Sequence, residues 1–172
     1  PTESLVFSNT AITWLRGGSS PEVQRTSFAL TTNGSDWTTL GPGVRIPGGW
    51  QLDGLSFPPK ATVRARGTVT GGQFNASSWQ VESIAGFPQV ISQPASRTNN
   101  ANTTALFSAG IIGSPASYRW RKGSLPLSDT GNVSGSGTAT LVLSNVFGGD
   151  AGNYSVVASN SSGSITSAVA TL

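Results

Sequence analysis

The stretch that decides the fold is Asp150-Ala-Gly-Asn-Tyr-Ser-Val156, near the end of the chain. An acid, a glycine and a tyrosine at alternate positions fit a tight turn entering a strand, where one face is buried and the other wet. Val156 continues the apolar parity set by Tyr154. Upstream, Ala105, Phe107 and Ala109 alternate inside Thr103–Ala109, and Trp120 sits in the middle of Tyr118-Arg-Trp-Arg-Lys-Gly123. Both runs read as half-buried strands. Thr140-Leu-Val-Leu-Ser-Asn-Val146 supplies another, and Ser164–Leu172 a last one.

The same period of two extends outward to the first residues. Strand-like runs cover Ser4–Phe7, Ala11–Leu15, Arg25–Thr31, Val44–Ile46, Ala61–Val69, Ser78–Ser83, Val90–Gln93, Ala116–Arg121, Ala139–Leu143 and Asn153–Ala158. Turn residues separate them, among them Asn33-Gly34, Gly41-Pro42-Gly43, Pro47-Gly48-Gly49 and Gly71-Gly72. No stretch carries sustained helical spacing. Many short strands over 172 residues predict an all-β chain of two tandem β-sandwich domains, 1–87 and 88–172, divided at Gly86-Phe87-Pro88.

With those motifs in hand, residues 88–172 resemble an immunoglobulin-like domain of the intermediate (I-set) type, in the cysteine-free form of bacterial surface proteins. The resemblance implies that Trp120 is the core tryptophan, that Val156 stands where the family places a cysteine, and that Tyr154 forms a tyrosine corner. Asp150 and Gly152 then shape the turn before it. Residues 1–87 resemble, more loosely, a fibronectin type III-like sandwich. Ile12-Thr-Trp14 resembles its strand B, with Trp14 in the core. Ser27–Trp37 resembles a C–C′ hairpin closed by Asn33-Gly34, and Trp50-Gln-Leu-Asp-Gly-Leu55 resembles its leucine-containing corner. The F-strand tyrosine of that family is missing near Thr62 and Val63. The same half also resembles the β domain that follows propeller repeats in large exported proteins, which would make Ser4–Arg16 a remnant of such a repeat rather than an integral first strand.

Composition narrows the chemistry. Charged residues are 10% of the chain, against about 25% in ordinary soluble domains, and the formal charge is +3. Ten basic residues this dispersed do not form the dense stripe that tracks phosphates, so no nucleic acid is expected as partner. There is no histidine, cysteine or methionine. The usual general base near neutral pH is therefore missing, as are the usual ligands of transition metals. No catalytic constellation, cofactor site or metal site is expected, and the chain is read as no enzyme. No apolar run approaches the roughly 20 residues of a membrane span, so no membrane insertion is expected. A chain starting at Pro1 reads as processed or as a piece of something longer.

What remains is recognition. Trp37, Trp50 and Trp79 sit at turns or strand ends and are the candidate binding residues, set against the alternative that they pack in cores. Asn33 with Asp36, and Asp129 with Asn132, are weighed as calcium ligands against ordinary turn chemistry. Six Asn-x-Ser/Thr sequons occur, at Asn33, Asn75, Asn102, Asn132, Asn153 and Asn160. The expectation is a non-enzymatic adhesion or spacer module of a larger exported bacterial protein, extracellular or at the cell surface. Its partners would be a protein or glycan at a cell surface, or copies of itself. The alternatives are a structural subunit of a filament or sheath assembling through strand edges, and a carbohydrate-binding accessory domain.

Overall fold

The computed structural model describes residues 2–18, 22–71 and 77–172, and divides into two compact units, Pro1–Phe87 and Pro88–Leu172. The architecture is all-β, two tandem sandwiches. Among the described residues no helix is long and apolar enough to cross a membrane.

The first unit stacks two four-stranded antiparallel sheets. One runs in the order β1 (Thr2–Phe7), β2 (Ala11–Gly17), β6 (Gly49–Asp53), β5 (Val44–Ile46). The other runs β4 (Thr38–Gly41), β3 (Val23–Thr31), β7 (Thr62–Gly71), β8 (Ser77–Gly86). Alternation does the sorting. On β7, Val63, Ala65 and Val69 are buried while Arg64 and Arg66 point the other way. Ile12 and Trp14 from β2 meet them with Val23 and Phe28 to form the core. Ser4–Arg16 is therefore an integral hairpin: β1 pairs with β2 from Thr2↔Gly17 to Phe7↔Ile12, and Leu5 and Phe7 pack on the core.

Two local expectations in this unit are corrected. The connection around Asn33-Gly34 is no two-residue turn, because β4 starts only at Thr38. The Asn33 side chain opens it: its Oδ1 accepts from the N–H groups of Ser35 and Asp36, both at 2.9 Å, while Gly34 N–H donates to Thr31 Oγ1 at 3.0 Å. These side-chain bonds replace the backbone bond a tight hairpin would need. Trp50-Gln-Leu-Asp53 is likewise not a corner but most of β6, paired on both sides, with Trp50 opposite Trp14 and Arg45. Leu55 beyond it does pack on the core.

In the second unit one sheet runs in the order β10 (Ala105–Ser108), β15 (Thr140–Leu143), β14 (Val133–Ser134). Facing them is the order β13 (Leu125–Pro126), β12 (Ser117–Lys122), β16 (Asn153–Asn160), β17 (Gly163–Thr166), with β18 (Ala170–Thr171) also on β16. β9 (Gln89–Ser92) pairs with β11 (Gly110–Ile112), the continuation of β10. After buried Pro94, which cannot donate to a ladder, the first strand changes neighbours. Arg97 N–H donates to Thr171 O at 2.9 Å, and Thr171 N–H to Ser96 Oγ at 3.0 Å.

Ser164–Leu172 is not one uninterrupted strand. The register against β16 shifts by a residue between Thr166 and Ala170. Buried Ser167 takes up the extra residue: its Oγ accepts from Val156 N–H at 3.0 Å and donates to Ala168 O at 2.8 Å. The chain end is bonded in, since Gly152 and Leu172 exchange N–H···O bonds of 3.2 and 3.0 Å.

Gly67 on β7 is the tightest point in the first core. A Cβ there would lie 2.0 Å from Val23 Cγ1 and 3.2 Å from the Trp14 ring. Gly67→Val is expected to destabilise the chain by about 2–3 kcal/mol through overpacking, read by thermal melting with tryptophan fluorescence. Gly71→Ala, whose Cβ would touch only the exposed ring of Trp79 at 3.0 Å, should cost far less.

Candidate functional site

Most of the signature residues are inside. Trp120 is fully buried, opposite Val156 on β16, and its indole N–H donates to Thr138 O at 2.9 Å. Phe107 lies between the sheets, its ring 4.9 Å from Tyr154 in a stack and 6.3 Å from Trp120. The Tyr154 hydroxyl donates to Asp150 O at 2.5 Å, which is the tyrosine corner. Asp150 Oδ2 in turn accepts from Phe147 N–H at 2.9 Å and from Asn132 Nδ2 at 3.1 Å. Burial, and then the Asp150 charge, push the Tyr154 phenol up to about 12. Trp14 is the buried counterpart in the first unit, donating its indole N–H to Glu3 Oε1 at 2.8 Å.

The carboxylates are equally committed. Beyond Glu3 and Asp150, Glu22 pairs with Arg45 at 2.8 Å, and Asp53 accepts from Gln51 at 2.7 Å. Asp36 accepts from Asn33 Nδ2 at 2.7 Å. Asp129 accepts from the N–H groups of Ser136 and Gly135, and the Ser136 side chain first, then these backbone bonds, hold its carboxyl below the usual range. Asn33, Asp36, Asp129 and Asn132 are thus spent on turns, and no group of three acidic side chains occurs among the described residues. Of the sequons, Asn33, Asn132 and Asn160 donate their Nδ2 to Asp36, Asp150 and Gly113, while Asn102 and Asn153 are exposed. Asn75 lies outside the described residues.

The three candidate tryptophans do not form one patch. Trp50 is half-buried on the inner side of β6, under the Arg45 guanidinium at 5.4 Å. Trp79 is 46% exposed on β8, opposite Val69 and so on the inner parity, where its ring covers Gly71. Trp37 lies on the other face of that sheet, its ring 4.1 Å beneath the guanidinium of Arg64.

That outer face holds the most developed surface feature. Arg64 and Arg66, two apart on β7, flank Glu82 on β8, with Nε···Oε2 distances of 3.8 and 2.5 Å. Burial first, then the neighbouring Arg66, lower the Arg64 pKa, and Glu82 opposes them. The result is a ladder of Trp37, Arg64, Glu82 and Arg66: an aromatic–cation stack closed at the inner end and a guanidinium open to water at the outer. Arg66 is the member whose charge a ligand can reach. The sequence pointed to Trp37 but offered nothing that joined it to Glu82, 45 residues on in the chain.

Comparison with known proteins bears on the second unit. Residues 88–171 match the family model of the immunoglobulin I-set domain. The second unit is an immunoglobulin-like domain. Solved structures similar to the chain include the N-terminal two-domain immunoglobulin module of the Drosophila receptor protein tyrosine phosphatase DLAR (19% identity, TM-score 0.47, 94% of this chain and 88% of that one). A chimeric titin Z1Z2 is 31% identical over 49% of this chain and 90% of that one, with a TM-score of 0.43. Titin M4 is 20% identical over 52% of this chain and 97% of that one, at 0.47. No curated protein matches the chain.

The Tyr154 shift has a pH consequence for the immunoglobulin-like unit. Its folded-state pKa is above the unfolded value near 10, so the stabilisation is complete below pH 10 and is lost as pH rises to about 12. Tyr154→Phe is expected to lose about 1 kcal/mol at neutral pH with the hydroxyl bond. It should also show a shallower fall in melting temperature between pH 10 and 12, measured by circular dichroism side by side with the parent.

Proposed function

We propose that the chain is a non-enzymatic adhesion or spacer module of a larger exported bacterial protein, working outside the cell or at its surface. One observation carries this reading. The residues that could have marked a reactive site, Trp120, Tyr154, Asp150 and the other acids, are consumed by internal hydrogen bonds and turns, in a unit that matches the I-set model. What the molecule leaves to a partner is its faces and loops. The strand order of the first unit, with β4 beside β3 on the sheet that carries β7 and β8, supports reading it as fibronectin type III-like with β5 as an added edge.

On this reading the partner is a protein or glycan at a cell surface, met by the outer face of β7 and β8. Sparse charge keeps long-range attraction weak, so contact rests on the cation–aromatic ladder and its shape. Beads carrying the chain are expected to be retained under flow by cells or by surfaces coated with cell-wall glycan or surface protein. Arg66→Gln should cut that retention severalfold while lowering the melting temperature only slightly, since it removes one exposed ion pair and adds no like charge opposite Glu82. Retention no better than that of bare beads on every surface would overturn the binding role. Sustained product release from a glycan or peptide panel would overturn the non-enzymatic one.

A further inference from the structure

β8 is the last strand of its sheet, and among the described strands it is in ladder register with β7 alone. At its far end Gly86 lies against Phe7 of β1. Among the described residues no strand pairs with the open side of Ser77–Ser83, and Ser77, Ser78, Trp79, Gln80 and Glu82 are exposed. The devices that usually blunt an edge are missing here. β8 contains no proline or lysine, its register with β7 is unbroken over its whole length, and its only charge is Glu82.

We infer that Ser77–Ser83 is a docking edge for a second copy of the chain, paired antiparallel across a two-fold axis at Gln80. The side chains select this register. Centred on Gln80, the entire open stretch overlaps with itself. Trp79 then falls opposite Val81 twice, an aromatic–β-branched pair on the face where Trp79 is 46% exposed. Glu82 falls opposite Ser78, a hydroxyl that can donate to it, and Gln80 meets Gln80, amide to amide. Moving the axis to Glu82 sets two carboxylates face to face, which disfavours it. Moving it to Val81 leaves Trp79 opposite Ser83 and shortens the overlap. The favoured register joins two four-stranded sheets into one of eight and is isologous, so it closes at the dimer. It does not depend on the chain binding any foreign surface.

The chain has no native cysteine, which makes the register directly readable. Under mild oxidation Gln80→Cys is expected to give a disulfide-linked dimer, because that residue sits on the axis. Ser78→Cys, equally exposed on the same strand but about 13 Å from its symmetry mate by strand rise, should link far more slowly. In sedimentation velocity, Ser78→Glu should weaken the dimer about tenfold by facing Glu82 of the second copy, and Ser78→Lys should tighten it. Equal cross-linking of the two cysteine variants would overturn the register. A chain that stays monomeric at every concentration, or identical behaviour of the two charge variants, would overturn the docking edge itself. All four substitutions are on exposed side chains, and unchanged melting curves separate loss of pairing from loss of fold.

Discussion

Everything in this molecule depends on how two sheets are held together with no covalent link between them. A buried disulfide would contribute roughly 2–5 kcal/mol to a domain of this size. In the immunoglobulin-like unit its volume is filled by Phe107 between Trp120 and Tyr154, with Val156 in the register position facing Trp120. One buried aromatic removes 150–250 Å² from water, about 4–6 kcal/mol at the usual coefficient. Packing of this kind can match the cross-link, at a price in tolerance: the ring must fit, whereas a disulfide only has to reach. The first unit meets the same constraint differently. Trp14 spans the gap, and Gly67 on the facing sheet has no side chain so that the indole and Val23 have room.

Both tryptophans also show what polar closure costs in a dry core. An indole N–H left unpaired in the interior is penalised by 1–3 kcal/mol, so each needs an acceptor aimed at it. Trp120 finds a backbone carbonyl, Thr138 O, which any sequence could supply. Trp14 uses the carboxylate of Glu3, delivered by the cross-strand hairpin of β1. The first strand is thereby tied to the core chemically as well as by its ladder.

Much of this was legible from residues alone. Period-two alternation locates the long strands because one face of each is buried, whereas the tyrosine corner at Asp150, Gly152 and Tyr154 was legible through the resemblance to the I-set pattern and not through spacing. The short strands were not legible. β13 and β14 have two residues each, too few for any period, and β4 begins where the side chain of Asn33, not a tight turn, sets the loop length. The break in Ser164–Leu172 was invisible for a similar reason: a buried serine that replaces a ladder bond looks like any strand serine. The ladder of Trp37, Arg64, Glu82 and Arg66 was only half visible. A pattern can put Arg64 and Arg66 on one face of a strand, but which acid and which ring stand beside them is decided by pairing between strands far apart in sequence.

The low charge, read first as a compositional oddity, follows from the same architecture. With every acid already paired or capping a turn, few free carboxylates are left to repel one another or to guard an edge. Serine, threonine and asparagine take over the surface, and many of them satisfy turn amides that would otherwise need water. Such a surface is tolerant in its loops but discriminating along its strands, because neutral edges bring two sheets together without electrostatic cost and leave the side-chain pairs to choose the register. A single carboxylate such as Glu82, placed on an otherwise uncharged strand, therefore has more influence over which partner strand fits than it would on an ordinary, heavily charged one.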